Sequence, residues 1–152
     1  MSPRSKSSVR SKAYIQPSAT VEWSTPQWLF DKLDAEFGFT LDAAASALNH
    51  KCPRYFTMAD DALTQDWGQS VVWCNPPYGR GLGNWFDKAH IATLAGATVV
   101  MLVPSRTGTG WFHDYAIKHT VEYLKGRLKF GDASAGAPFD SIVVRMYPPP
   151  AP

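Results

Sequence analysis

Val71-Val72-Trp73-Cys74-Asn75-Pro76-Pro77-Tyr78-Gly79 is an apolar run that stops abruptly at an amide, two prolines and an aromatic ring. Val71 to Cys74 have the β-branched and aromatic character of a short strand covered on both faces. Each proline lacks an N–H and has φ fixed near −65°, so neither continues a central ladder. Asn75, preceding a proline, is held extended. The stretch predicts a buried strand that delivers a rigid loop, with Asn75 and Tyr78 aimed beyond its carboxyl end. Open α/β sheets bind ligands at that place.

Working outward, Trp23-Ser24-Thr25-Pro26 reads as a helix start, with a hydroxyl N-cap and proline at the first helical position. Trp28, Leu29, Leu33 and Phe37 recur at helical spacing and Gly38 supplies a stop, which predicts a helix over 26–37. The tryptophan of WSTP is equally a wall for a planar ligand. Phe39 to Asp42 is a short strand ending in an acid, and Ala43, Ala44, Ala45, Ser46 and Ala47 let a ligand approach the backbone. Residues 49–67 read as a loop with a short strand at Arg54 to Thr57. Within it, Asp60 or Asp61 is an acceptor for an exocyclic amine or ribose hydroxyl, or one of them caps a helical turn over Ala62 to Trp67.

Downstream, Gly79 to Gly83 reads as a flexible segment before a helix from Asn84 to Ala95, with Trp85, Ile91, Ala92 and Ala95 as its buried face. Ala97 to Val103 (ATVVMLV) predicts a central parallel strand, and Ser105 to Gly110 a polar loop on the same rim as Asn75. A helix from Trp111 to Ile117 follows. Val121 to Leu124 and Arg127 to Phe130 suggest a strand or hairpin around Lys125-Gly126, and Ser141 to Tyr147 a last strand. These need not be parallel. The fold class is α/β: a mostly parallel central sheet flanked by helices, with an antiparallel C-terminal edge.

The chain has 152 residues, 45% of them hydrophobic and 13% aromatic, which describes one packed domain over 21–147. Residues 148–152 form a proline-rich end, extended by composition. Arg4, Lys6, Arg10 and Lys12 lie in a Ser-rich segment, 1–20, without an acid. Setting these four aside leaves 11 Lys and Arg against 13 acids, so the positive charge is concentrated in a flexible tail. Such an arm gains free energy beside a polyanion by releasing counterions, or is an ordinary solvated terminus. Two cysteines without a CxxC fit a reducing cytoplasm. No apolar segment reaches the roughly 20 residues that span a bilayer, so no membrane association is expected. A metal is not required by the chemistry that follows. The oligomeric state is not specified, with a monomer favoured.

The loop offers two acceptors, the Asn75 side-chain oxygen and the Pro76 carbonyl, with the Tyr78 face beyond Pro77. They fit a planar group bearing an NH₂, such as adenine, whose amine is a poor nucleophile because its lone pair is delocalised. Two hydrogen bonds accepted from it favour the more tetrahedral nitrogen that develops during attack. Stacking on Tyr78 adds about 1–3 kcal/mol.

Asn75-Pro76-Pro77-Tyr78 matches the [DNS]PP[YFW] motif of amino-group methyltransferases. In order, WSTP, LDAAAS, CPRYFT, VWCNPPYG, LVPSRT, GRLKF and APFDS resemble the phage Dam-like DNA N6-adenine methyltransferases, from about Trp23 to Tyr147. The resemblance implies a Rossmann-like class I fold, S-adenosylmethionine as methyl donor and DNA as partner. It implies a flipped adenine held by Asn75, Pro76, Pro77 and Tyr78, and in-line displacement at the donor methyl. It places Trp23, Thr25 and Pro26 over the methionine end of the cofactor, Asp42, Ala43 and Ala44 near its amino-acid and ribose parts, and Asp60 or Asp61 near its adenosine; Asn75 also borders it. DAAAS stands where larger methyltransferases have a glycine-rich FxGxG. Arg80, Arg106, Arg127 and Lys129 are phosphate-contact candidates or solvated surface, and the short loops available for reading a target imply loose or short-sequence recognition. Two alternatives stay open: a methyltransferase for protein glutamine or RNA, and a nucleic-acid-binding module without catalysis.

Overall fold

A computed structural model describes residues 23–131 and 135–151. The basic segment 1–20 lies outside the described residues. Helix α1, Gln27–Phe37, turns Leu29, Phe30 and Leu33 inward, and burial of such side chains stabilises by about 1.5–3 kcal/mol each. Gly38 ends it in the left-handed region (φ 68°), donating to the Asp34 carbonyl. Its start differs from the sequence expectation: Pro26 is the N-cap, without a side-chain cap. Thr25 stands one residue before the cap, and its hydroxyl accepts a bond from Asn75.

Five strands follow: β1 Leu41–Asp42, β2 Val71–Cys74, β3 Thr98–Pro104, β4 Thr120–Tyr123 and β5 Ser141–Met146. Their order is β1-β2-β3-β5-β4. β1 and β3 flank β2 in parallel, while β5 runs antiparallel to both β3 and β4. The sheet is therefore mixed, with two parallel and two antiparallel pairings rather than a mostly parallel ladder. The reversed strand is not the edge either, since β5 is inserted between β3 and β4. β3 is central and pairs in parallel with β2 and antiparallel with β5.

Period-two alternation divides the sheet into two faces. Val72, Cys74, Val99, Met101, Val103, Ile142 and Val144 join helix α2, Leu82–Leu94, in one cluster. Trp73, Val100, Leu102 and Val143 join α1 in the other. Helices thus cover both faces, and the strands are buried as the valine-rich runs predict. α2 begins two residues earlier than expected, with Leu82 fully buried in its first turn. Its inner face is Leu82, Phe86, Ala89, Ala92 and Thr93; Ile91 and Ala95 point outward.

Three further expectations change. The proposed strand at 54–57 is a single bridge between Tyr55 and Asp42. The helix expected over 111–117 is a short α3, Gly110–Asp114, followed by a 3-10 turn at Ala116–Lys118. Arg127 to Phe130 is an extended segment outside the sheet: Leu128 and Phe130 are buried, and the Leu128 carbonyl accepts from Ala137 N at 2.8 Å. Arg145 ties the sheet to α1, with its guanidinium on Glu36 at 3.0 Å and on Glu122 at 2.8 Å.

Candidate active site

Because β1, β2 and β3 are parallel, the residues after Asp42, Cys74 and Pro104 emerge on one rim. Asn75 leads the loop after β2, with Pro76 buried and Pro77 exposed. Its Nδ2 donates to the Trp23 carbonyl at 2.5 Å and to Thr25 Oγ1 at 3.1 Å. A carbonyl oxygen only accepts, so nitrogen faces Trp23 and Oδ1 is turned the other way. There Tyr78 Oη donates to Oδ1 at 2.7 Å, with the Leu102 carbonyl 3.1 Å from the same hydroxyl. The hydroxyl has one hydrogen for two acceptors, so it can leave Asn75 for Leu102 when another donor arrives.

Burial raises the Tyr78 phenol well above its ordinary range, with the Cys74 thiol adding to the shift, so Tyr78 stays neutral. Its ring lies among aromatics. Trp23 is near-parallel to it at 6.4 Å between centroids, and Phe130 and Phe139 stand edge-on at 6.5 Å and 5.7 Å. Phe130 and Phe139 also pack against Trp23.

Asp42 ends β1 and is only 3% exposed. Its Oδ2 accepts from Lys51 N at 2.8 Å and its Oδ1 from Ala44 N at 3.3 Å. Burial raises its pKa, opposed by these two bonds and by His50 and Lys51. Among the described residues it has no salt-bridge partner. The following turn does not offer free N–H groups: Ala43 N bonds the Trp73 carbonyl, and Ala45 N the Phe56 carbonyl, both at 2.9 Å. Ala43 is buried in the core, Ala44 packs half-buried against it, and the backbone of this turn is bonded inward.

The two adjacent aspartates separate. Asp60 accepts from Thr57 N at 2.7 Å, closing a capping box on the 3-10 turn Met58–Asp60. Asp61 has φ 54°, the one positive value outside glycine among the described residues, and its carboxylate makes no cap. Such a conformation in a non-glycine residue is uncommon and clusters at functional sites.

With this geometry in place, the comparisons are specific. A family model described as DNA N-6-adenine-methyltransferase (Dam) matches residues 13–143. The chain belongs to this family. A DNA N-6-adenine-methyltransferase of Haemophilus phage HP1 is 31% identical over 123 residues, covering 78% of this chain and 70% of that protein. A protein of the same name from Escherichia phage T1 is 36% identical over 93 residues, covering 59% of this chain and 38% of that one. The putative methyltransferase YfdM of Escherichia coli is 36% identical over 64 residues, 38% of this chain and 70% of its own.

In this Dam-family chain the four cations named from sequence are all exposed. Arg80 and Arg106 lie in the loops that follow β2 and β3, whose carboxyl ends share the rim of Asn75. Arg127 and Lys129 follow β4, which runs in the same direction as β3 through its shared antiparallel neighbour. Arg127 approaches Asp140 at 3.7 Å with both side chains more than half exposed, a contact worth little in water. Sequence reasoning did not single out Phe130 and Phe139 as lining, although both stand in the late motifs GRLKF and APFDS. It also missed the bond from Asn75 to Thr25, for which a single sequence carries no signal across 50 residues. Among the described residues no group of three His, Cys, Asp or Glu could hold a metal ion, and no helix is long and apolar enough to cross a membrane.

Proposed function

We propose that this Dam-family chain transfers a methyl group from S-adenosylmethionine to the N6 amine of adenine in DNA. The observation that carries the reading is the fixed amide of Asn75, whose Oδ1 is aligned as an acceptor beside the Tyr78 ring. When a target adenine donates to Oδ1, the Tyr78 hydrogen moves to the Leu102 carbonyl, and the Pro76 carbonyl takes the second amine hydrogen. Both acceptors favour the tetrahedral nitrogen of the transition state over the planar ground state. An adenine inside a duplex does not reach this loop, so it is flipped out, at a cost of a few kcal/mol. Tyr78 and the neighbouring aromatic rings stack the base and keep water away. Tyr78 remains protonated throughout, and the proton lost from the methylated amine passes to water.

The residues present suit the donor. S-adenosylmethionine carries a sulfonium and an ammonium, and Asp42 is a buried carboxylate with no salt-bridge partner among the described residues. Asp42 would lie beside these charges, Ala43 and Ala44 along the ribose, and the carboxylate of Asp61, which makes no cap, at the adenosine hydroxyls. Trp23 and Pro26 would border the methionine end. When bound, the group supplies an activated methyl to the amine. Asp60, engaged in its capping box, would support Asp61 rather than touch the ligand. The same reading assigns the mixed sheet to the Rossmann-like class I architecture, supported by loops gathered at strand carboxyl ends. Arg80, Arg106, Arg127 and Lys129 would hold phosphates along this rim.

Incubating the protein with methyl-labelled donor and DNA, RNA and protein side by side tests the assignment. Label at adenine N6 in DNA is expected; label in RNA or protein, with DNA unmarked, overturns it. Mapping methylated adenines in DNA from expressing cells should show loose or short-sequence recognition. A strict site longer than four base pairs would contradict that expectation.

A further inference from the structure

We propose that Thr25 is a positioning residue for the reaction, acting through Asn75; this rests on Asn75 being the acceptor for the amine. The primary amide has two hydrogens, and both have partners: the Trp23 carbonyl and the Thr25 hydroxyl. Rotating the amide by 180° would set Oδ1 against the Trp23 carbonyl, two acceptors facing each other, and lose that bond. The Trp23 carbonyl therefore determines which end of the side chain faces the substrate, and the Thr25 hydroxyl, the second partner, holds the amide in place.

The support for this pair is stiff. Thr25 precedes a proline, which restricts it to extended conformations. Pro26 in turn caps α1, its carbonyl accepting from Leu29 N at 3.1 Å and Phe30 N at 3.2 Å. Thr25 is 6% exposed, so water does not replace its hydroxyl easily. On the other side, the Trp23 ring packs against Tyr78, Phe130 and Phe139. One four-residue segment thus braces the acceptor and the stacking ring together. A cap for α1 was the obvious task for this threonine, and the structure gives its hydroxyl to the amide instead.

Thr25→Val removes the acceptor while keeping the shape, and Thr25→Ser keeps the acceptor. The full chain is used, with side-chain amide exchange of Asn75 followed by NMR and assigned by its loss in Asn75→Ala. In the parent both Asn75 hydrogens should be protected. In T25V the hydrogen that faced Thr25 should exchange about tenfold faster and kcat for DNA methylation should fall about tenfold, the effect of one lost hydrogen bond. Donor affinity by calorimetry should stay within about twofold, because the lost bond touches only Asn75. T25S should restore both exchange and kcat.

Unchanged Asn75 exchange in T25V overturns the proposal. So does an equal loss of kcat in T25S, or a loss confined to donor affinity, which would make Thr25 a cofactor contact. If the valine variant does not fold, Thr25→Ala carries the same expectations without a methyl against the amide. Full activity of Asn75→Ala would remove the role of Asn75 itself, while the exchange measurement still reports whether Thr25 holds it.

Discussion

Asp42 and Asn75 stand at the carboxyl ends of neighbouring parallel strands, and their side chains are fixed in opposite ways. Asp42 is held by backbone N–H groups two and nine residues further along, so the acid shapes its own turn. Asn75 is held by Trp23 and Thr25, 52 and 50 residues away, and by Tyr78. The local device presents a negative charge wherever its turn folds. The long-range device exists only when α1, β2 and the aromatic cluster have all docked, so the directional acceptor is assembled last and most exactingly. Binding charge is cheap to place by local means; an acceptor that must meet a transition state is not.

The most severe break in this comparison is Asn75→Ala. It should lower kcat by about 10²–10³-fold, as removal of a preorganised polar group does, and leave donor affinity within about threefold. Radiolabel transfer and calorimetry measure the two. A matched fall in both would mean that Asn75 serves binding instead.

The aspartate pair sharpens the local side. Asp61→Ala should weaken donor binding about tenfold, the value of a charge-assisted hydrogen bond. Asp60→Ala should cost only stability, about 3 °C in Tm from a lost cap in a chain of this size. Reversed outcomes would exchange their roles.

A smaller effect comes from pH. Burial raises the pKa of Asp42 above 3.8, so its negative form is lost earlier on acidification than in an exposed aspartate. Donor affinity should fall a few-fold as pH drops through that raised value, about the worth of one screened charge contact, and Asp42→Asn should abolish the dependence. Folding stability has the opposite sign: the native state binds the proton more readily, so the contribution of Asp42 is fullest below 3.8 and lost as pH rises through its folded pKa. Asn75 does not titrate and Tyr78 stays neutral, so kcat at saturating substrates should not follow. Acid titration with calorimetry and single-turnover rates separates the two curves.

What was legible in the sequence follows the same division. β2, β3 and β5 announce themselves as β-branched runs bounded by proline, glycine or polar residues, and α1 by its spacing. The rigid loop after Cys74 follows from two prolines alone. Position in the sheet was not legible: β5 pairs Met146 with Val99, a contact across 47 residues that no local pattern encodes. Arg127 to Phe130 misled for a physical reason. It alternates polar and apolar like a strand and buries Leu128 and Phe130, but its pairing partner is Ala137 in an irregular loop rather than a ladder. At the site, residue types were readable and their partners were not. Thr25 had the grammar of a cap and gives its hydroxyl to Asn75, while the backbone partners of Asp42, Ala44 N and Lys51 N, were not readable.

The placement of β5 also bears on how the protein is made. A ribosome releases β1, β2, β3 and β4 in that order, yet β4 has no neighbour until Ser141–Met146 arrives to fill the gap between it and β3. Until then the inner edge of β3 is a row of unpaired donors and acceptors, open to another nascent chain. The sheet therefore closes by insertion of its latest strand rather than by growth at its margin, which slows folding and lengthens the interval in which aggregation competes. Chains cut before Ser141 would carry the whole Asn-Pro-Pro-Tyr loop and still lack the strand that joins the two parts of the sheet.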